Sequence, residues 1–142
     1  MYLIAPIAAG IALVTAAGLY HSVRRRDAGT LAMRTIAQAV RQGAFTYLWR
    51  QYRLVGCTFA ALFVVFVLLA VWGVQNVFTP LAFLSGGLGS ALAGLIGMST
   101  ATMAAPRTAQ GATEGLGRSL RVAFNGGAVM GLSVTGLALL DI

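Results

Sequence analysis

An all-α membrane protein is the fold class that this 142-residue sequence predicts, with four transmembrane helices and an amphipathic helix ahead of the second. Three observations predict it. Hydrophobic residues make up 58% of the chain and charged residues only 9%, where an ordinary soluble domain carries about 25% charged residues. Four stretches without a single charge are each close to the ~20 residues that a helix needs to cross a hydrocarbon core. The arginines fall between those stretches in an alternating pattern.

The spans are read at about 2–20, 54–74, 81–103 and 122–140, within one membrane domain. The first is rich in Ala and Ile. It has no basic residue ahead of it and a triple arginine, Arg24 to Arg26, behind it. That order is wrong for a cleavable secretory signal and right for a retained span. The second holds FAALFVVFVLLAVW and is the most apolar. The connection 21–53 carries seven arginines, 75–80 carries none, and 103–121 carries three. Because short arginine-rich connections stay on the cytoplasmic side, both termini are expected outside and the first and third connections in the cytoplasm.

Within the first connection, Met33, Ile36, Ala37, Val40, Ala44 and Leu48 recur at helical spacing, with Arg34, Gln38 and Arg41 on another face. This predicts an amphipathic helix over about 30–48, with Thr30 as its N-cap. The pattern allows a helix lying along the membrane surface or one that runs on into the second span. In GAFTYLWRQYR, at 43–53, Tyr47, Trp49 and Tyr52 stand beside Arg50 and Arg53. Aromatic rings at headgroup depth and arginines that snorkel toward water predict an interfacial anchor there. Trp72 is expected to play the same part at the far end of that span.

The third span places Gly86, Ser90 and Gly94 at four-residue spacing, with Gly89, Ala93 and Gly97 on a second ladder. The fourth repeats the pattern with Gly127, Gly131 and Thr135. Small residues so spaced let helix backbones approach closely in lipid, where packing holds helices together. Ladders on more than one face point to docking surface beyond what four helices need, and so to further helices.

Candidate chemistry is sparse. The ten cations are all arginine and the three acids, Asp27, Glu114 and Asp141, are scattered. His21 has no second histidine or neighbouring carboxylate, which argues against a metal or catalytic role. Glu114 stands four residues before Arg118, the spacing of a helical ion pair. Cys57, in an apolar run, reads as a buried small hydrophobe. The net charge of +7 could invite a nucleic-acid partner, but that needs the charge on one solvated face, and here it sits at span ends. No nucleic-acid partner is expected; the lipid bilayer is. No P-loop, Cys/His cluster, nucleophile elbow or carboxylate pair is present, so no catalytic, cofactor or metal residue is assigned.

The segments DAGTLAMRTIAQAVRQGAFTYLWRQYRLV and GMSTATMAAPRTAQGATEGLGRSLRVAFNGGAVMGLSVTGLALL resemble the N-terminal part of the membrane-bound, ion-translocating inorganic pyrophosphatases. The marks are Gly43, Ala44, Tyr47, Leu48, Arg50, Gln51 and Tyr52, then Gly97 and Met98 with Arg107, Thr108 and Ala109, then the run 126–132. The resemblance implies a parent of about sixteen helices that hydrolyses pyrophosphate with Mg2+, exports protons or sodium, and forms homodimers. The four spans would be outer-ring helices, inactive alone, with the pump's remaining helices as partners. The competing expectation is a self-standing four-span accessory or assembly subunit without catalysis.

Overall fold

The computed structural model describes residues 4–140, so Tyr2 and Asp141 lie outside the described residues. The chain is an all-α membrane protein built from α1 (Ile4–Arg24), α2 (Leu31–Val71), α3 (Thr79–Glu114) and α4 (Leu116–Leu140). All four are long and apolar enough to cross a bilayer. Large apolar side chains such as Ile11, Leu54, Val71 and Phe124 stand on the outside. In water that would be a liability. Against lipid it costs nothing, since the acyl chains are as apolar as the residues. Cys57 follows the same rule: it is exposed on α2 rather than buried, because an apolar residue in a span has no need of the interior.

The amphipathic helix and the second span are one element. α2 runs for 41 residues without a break, about 60 Å at 1.5 Å per residue. Thr30 caps its start, its hydroxyl accepting from Met33 N at 3.4 Å. No helix breaker stands between the two apolar patterns, so the helix simply continues. The third connection is also mostly helix. α3 runs on through Pro106 to Glu114, and Gly115 alone separates it from α4. The missing N–H of Pro106 takes one ladder bond from Thr102 O, and at the neighbouring carbonyl Arg107 Nη1 donates to Met103 O at 2.6 Å.

Gly115 makes that one-residue turn with φ 140°, a conformation only glycine adopts readily. Its N–H caps α3 by donating to Gly111 O, and its own carbonyl accepts from Arg118 N and Ser119 N. At Gly111 the two backbones nearly touch: a Cβ there would meet Ser119 Cα and N at 3.1 Å. Ser119 Oγ closes the hairpin by donating to Thr108 O at 3.0 Å.

In space the order is α1, α4, α3, α2. α4 packs antiparallel to both α1 and α3, while α2 packs on α3 and makes no helix–helix contact with α1. The α1–α4 seam is small: Ala9, Ala12 and Ala16 are buried on one side and Val129, Ser133 and Gly136 on the other. Val23, Val122 and Ala104 form a cluster that joins three helices at the arginine-rich end. α2 is held to α3 by aromatic rings. Phe59 stacks on Phe83 with centroids 4.3 Å apart, Phe66 meets the same ring edge-on at 4.9 Å, and Phe59 lies over Gly87 where a Cβ would overlap it.

Candidate functional site

The polar chemistry of the chain gathers at one end of the bundle, where α1 ends, α2 begins and α3 passes between them. Arg107 organises it. Its guanidinium donates to Arg26 O at 3.0 Å and Arg24 O at 3.3 Å, as well as to Met103 O. The last carbonyls of a helix have no partner within it; here an arginine two helices away supplies one. Burial first, then the charges of Arg24 and Arg34, push this guanidinium below its ordinary value, though an arginine stays protonated throughout the accessible range.

Next to it the 25–30 turn is tied down by Asp27. One carboxylate oxygen accepts from Gly29 N and from Arg34 Nη2, each at 3.1 Å, and Arg34 Nε donates to Gly29 O at 3.0 Å. Gly29 has φ 81°, and a Cβ there would run into Met33 and Gln110. The Gly29 N–H first, and Arg34 after it, hold the Asp27 carboxyl below its ordinary value. Glu114 pairs with Arg118, but across the Gly115 turn, from the end of α3 to the first turn of α4, rather than along a single helix.

Two carboxylates, each already committed to an arginine, are a poor setting for magnesium, which is held through carboxylate oxygens and substrate phosphates. No group of three or more potential metal ligands gathers among the described residues. The described residues do not fit a magnesium pyrophosphate centre.

The small-residue ladders are split between two situations. Gly97 packs under Met130 of α4, and Gly94 lies beneath the Tyr52 hydroxyl. Gly89, Gly127 and Gly131 have no side chain or neighbouring helix within 4 Å of where a Cβ would sit. Gly86, Gly89, Ser90 and Gly94 instead line an open groove of about 490 Å³ against Met130 and Val134 of α4. Contacts as tight fall on glycines outside those ladders too: Gly126 against Ala104, Gly136 against Leu13, and Gly87 under the Phe59 ring. A four-residue period marks several faces of a glycine-rich helix equally, and only the rotation of each helix toward its neighbour selects among them.

In the 43–53 segment, Tyr47 and Trp49 are exposed, Trp49 at 71%, with Arg50 and Arg53 also on the surface. Tyr52 turns inward, and its hydroxyl donates to Ala91 O on α3 at 2.6 Å. Leu48, one turn before, is the buried residue of α2. His21 is exposed at the end of α1 and Trp72 is exposed just beyond α2. Sequence reasoning left Arg107 as one of three arginines in a loop. No local signal marks its role, since the two α1-end carbonyls that it serves lie 81 and 83 residues earlier in the chain.

Comparison with known proteins gives a consistent answer. The family model for inorganic H+ pyrophosphatase matches residues 10–142. A putative K(+)-stimulated pyrophosphate-energized sodium pump of Bacteroides thetaiotaomicron is 47% identical over the whole chain, which covers 20% of that relative. A K(+)-insensitive pyrophosphate-energized proton pump of Methanosarcina mazei is 43% identical over 96% of the chain and 20% of its own length. A K(+)-stimulated sodium pump of Thermotoga maritima is 39% identical over 93% of the chain and 18% of its own length. The chain thus spans about a fifth of the curated relatives it matches. No solved structure matches it.

Proposed function

The chain belongs to the inorganic H+ pyrophosphatase family, and from that premise we propose that it is the N-terminal, non-catalytic quarter-bundle of a pyrophosphate-energised ion pump. The observation that carries this reading is the pairing of near-complete family coverage of the chain with a site that offers no metal centre. Relatives named as pumps match it over about a fifth of their length. The carboxylates that bind magnesium and pyrophosphate in the parent therefore lie on other helices. A sodium pump and a proton pump match at 47% and 43%, so the choice of ion also belongs to helices outside this segment. The accessory-subunit alternative is not favoured, since these relatives are named as pumps.

In this reading the arginine-rich end faces the cytoplasm, following the arginine distribution, and both chain ends face outward. The groove lined by Gly86, Gly89, Ser90 and Gly94, and the bare Gly127 and Gly131 strip of α4, receive the parent's remaining helices. In the parent, homodimerisation and Mg2+ dependence accompany the pump activity.

Two measurements test the reading. The purified 142-residue chain is expected to release no phosphate from pyrophosphate with magnesium; release above a heat-treated control would overturn it. Reading the coding DNA past Ile142 is expected to show an open frame into further glycine- and aspartate-rich helices. A stop followed by a separate gene would restore the accessory subunit.

A further inference from the structure

Because α1 and α2 do not touch, they leave a groove between them, floored by α3 and α4, and its two halves differ in chemistry. The half at the arginine-rich end is a cleft of about 560 Å³ edged by Arg24, Arg34, Arg41 and Arg107. The half toward the middle of the bundle is a channel of about 600 Å³ walled by apolar residues including Leu13, Ala17, Phe45 and Ile96. Tyr20 and Ser99 line both halves, which makes them one continuous depression.

We propose that this depression is a binding site for one anionic phospholipid, its phosphate among the arginines and an acyl chain in the apolar channel. Charge complementarity is the first argument. Arg34 is paired with Asp27 and Arg107 with carbonyls, but Arg24 and Arg41 have no carboxylate partner among the described residues. Arg41 is steadied over the Phe45 ring at 5.6 Å, at the boundary between the two halves. Basic pockets between spans are the kind of site that takes anionic headgroups.

Length is the second argument. From Arg24 to Leu13 the depression follows eleven residues of α1, about 16 Å of helix at 1.5 Å per residue. That matches one leaflet, half of a hydrocarbon core about 30 Å thick. A soluble anion would leave the apolar half empty. A further protein helix would need an apolar seam along its whole span, and this seam ends in four arginines.

The test is native mass spectrometry of the intact chain in detergent, titrated with phosphatidylglycerol and with phosphatidylcholine of the same acyl chains. The wild type is expected to retain one phosphatidylglycerol in preference to phosphatidylcholine. The double variant Arg24→Gln/Arg41→Gln is expected to lose at least about tenfold in that affinity. Arg50→Gln/Arg53→Gln, which removes equal charge elsewhere, is expected to stay within about twofold. Ala17→Trp, which fills the apolar half and leaves every arginine, is expected to weaken binding as well. Circular dichroism confirms that each variant keeps its helices. Equal losses from both double variants would mean diffuse attraction and overturn the site. So would equal retention of phosphatidylcholine, or displacement of the lipid by millimolar inorganic phosphate.

Discussion

α4 and α2 solve the same problem, attachment to α3, in opposite ways. α4 buries five of its 25 residues and α2 one of its 41, so α4 is the central staff of the bundle and α2 an outrigger. At α4 the contacts are mostly bare, with Gly126 on Ala104 and backbone on backbone at Gly111, and one flexible side chain, Met130, laid over Gly97. At α2 the gap to α3 is filled by Phe59, Phe66 and Phe83, with one hydrogen bond from Tyr52. Close approach gains dispersion over many atoms but tolerates no added atom. Ring filling tolerates adjustment, because side chains can rotate where backbones cannot.

The sharpest way to break this contrast is at Gly111. Gly111→Val places carbon against the backbone of Ser119, and a loss of about 3 kcal/mol is expected by denaturant unfolding in detergent. Gly131→Ala, on the bare strip of the same helix pair, is expected to change stability by no more than about 0.5 kcal/mol. If the two cost the same, close approach is not what holds α4.

Arg107→Ala comes next. It strips the donor from the final α1 carbonyls, and a loss of about 1.5 kcal/mol is expected. Faster amide exchange should appear at the end of α1 and in the 25–30 turn, and unchanged exchange there would remove Arg107 from its structural role. On the α2 side, Tyr52→Phe keeps the ring and loses only the bond to Ala91 O. About 1 kcal/mol is expected, with the Phe59 and Phe83 stack intact by fluorescence or NMR. A loss as large as that at Gly111 would show α2 to be as rigidly held as α4.

The smallest effect is acid sensitivity of the turn between α1 and α2. The Asp27 carboxyl is held below its ordinary 3.8 by Gly29 N–H and Arg34. A depressed carboxyl contributes stability above its unfolded value and loses it as pH falls through the lower folded one. Amide protection at Gly29 is therefore expected to be flat from neutral pH down to about 5 and to fall only below about 4. Asp27→Asn should abolish that acid step; a step that survives it belongs to another group.

The four spans were legible because each property that defines them is one-dimensional: run length, absence of charge, and the side on which arginines fall. The cap at Thr30 is equally local, set by neighbours within one helical turn, whereas Glu114 and Arg118 do pair but from two helices, across the Gly115 turn that their spacing alone did not show. Helix ends were less legible. Pro106 and the polar residues after it read as a loop, yet α3 carries them to Glu114, because a proline removes a single ladder bond and the turns on either side keep theirs. Least legible was which glycines touch. Gly127 and Gly126 are adjacent in sequence with the same composition around them, and only the rotation of α4 puts one against Ala104 and leaves the other bare. Tyr52 and Trp49 likewise differ in no compositional sense, but the turn of α2 sends one to Ala91 and the other outward.

Gly115 fixes that rotation. With a single residue joining α3 to α4, the connection has no slack and behaves as a keyed shaft. Inserting one residue would advance α4 by about 100° about its own axis, carrying the Val129, Ser133 and Gly136 edge away from α1 and presenting a different edge in its place. The link between α2 and α3 is seven residues long, 72–78, and so sets the phase of its helices less directly. Length variation, epitope insertion and chain splitting should accordingly be tolerated there and not at the hairpin, where a one-residue error is an error of phase along all of α4.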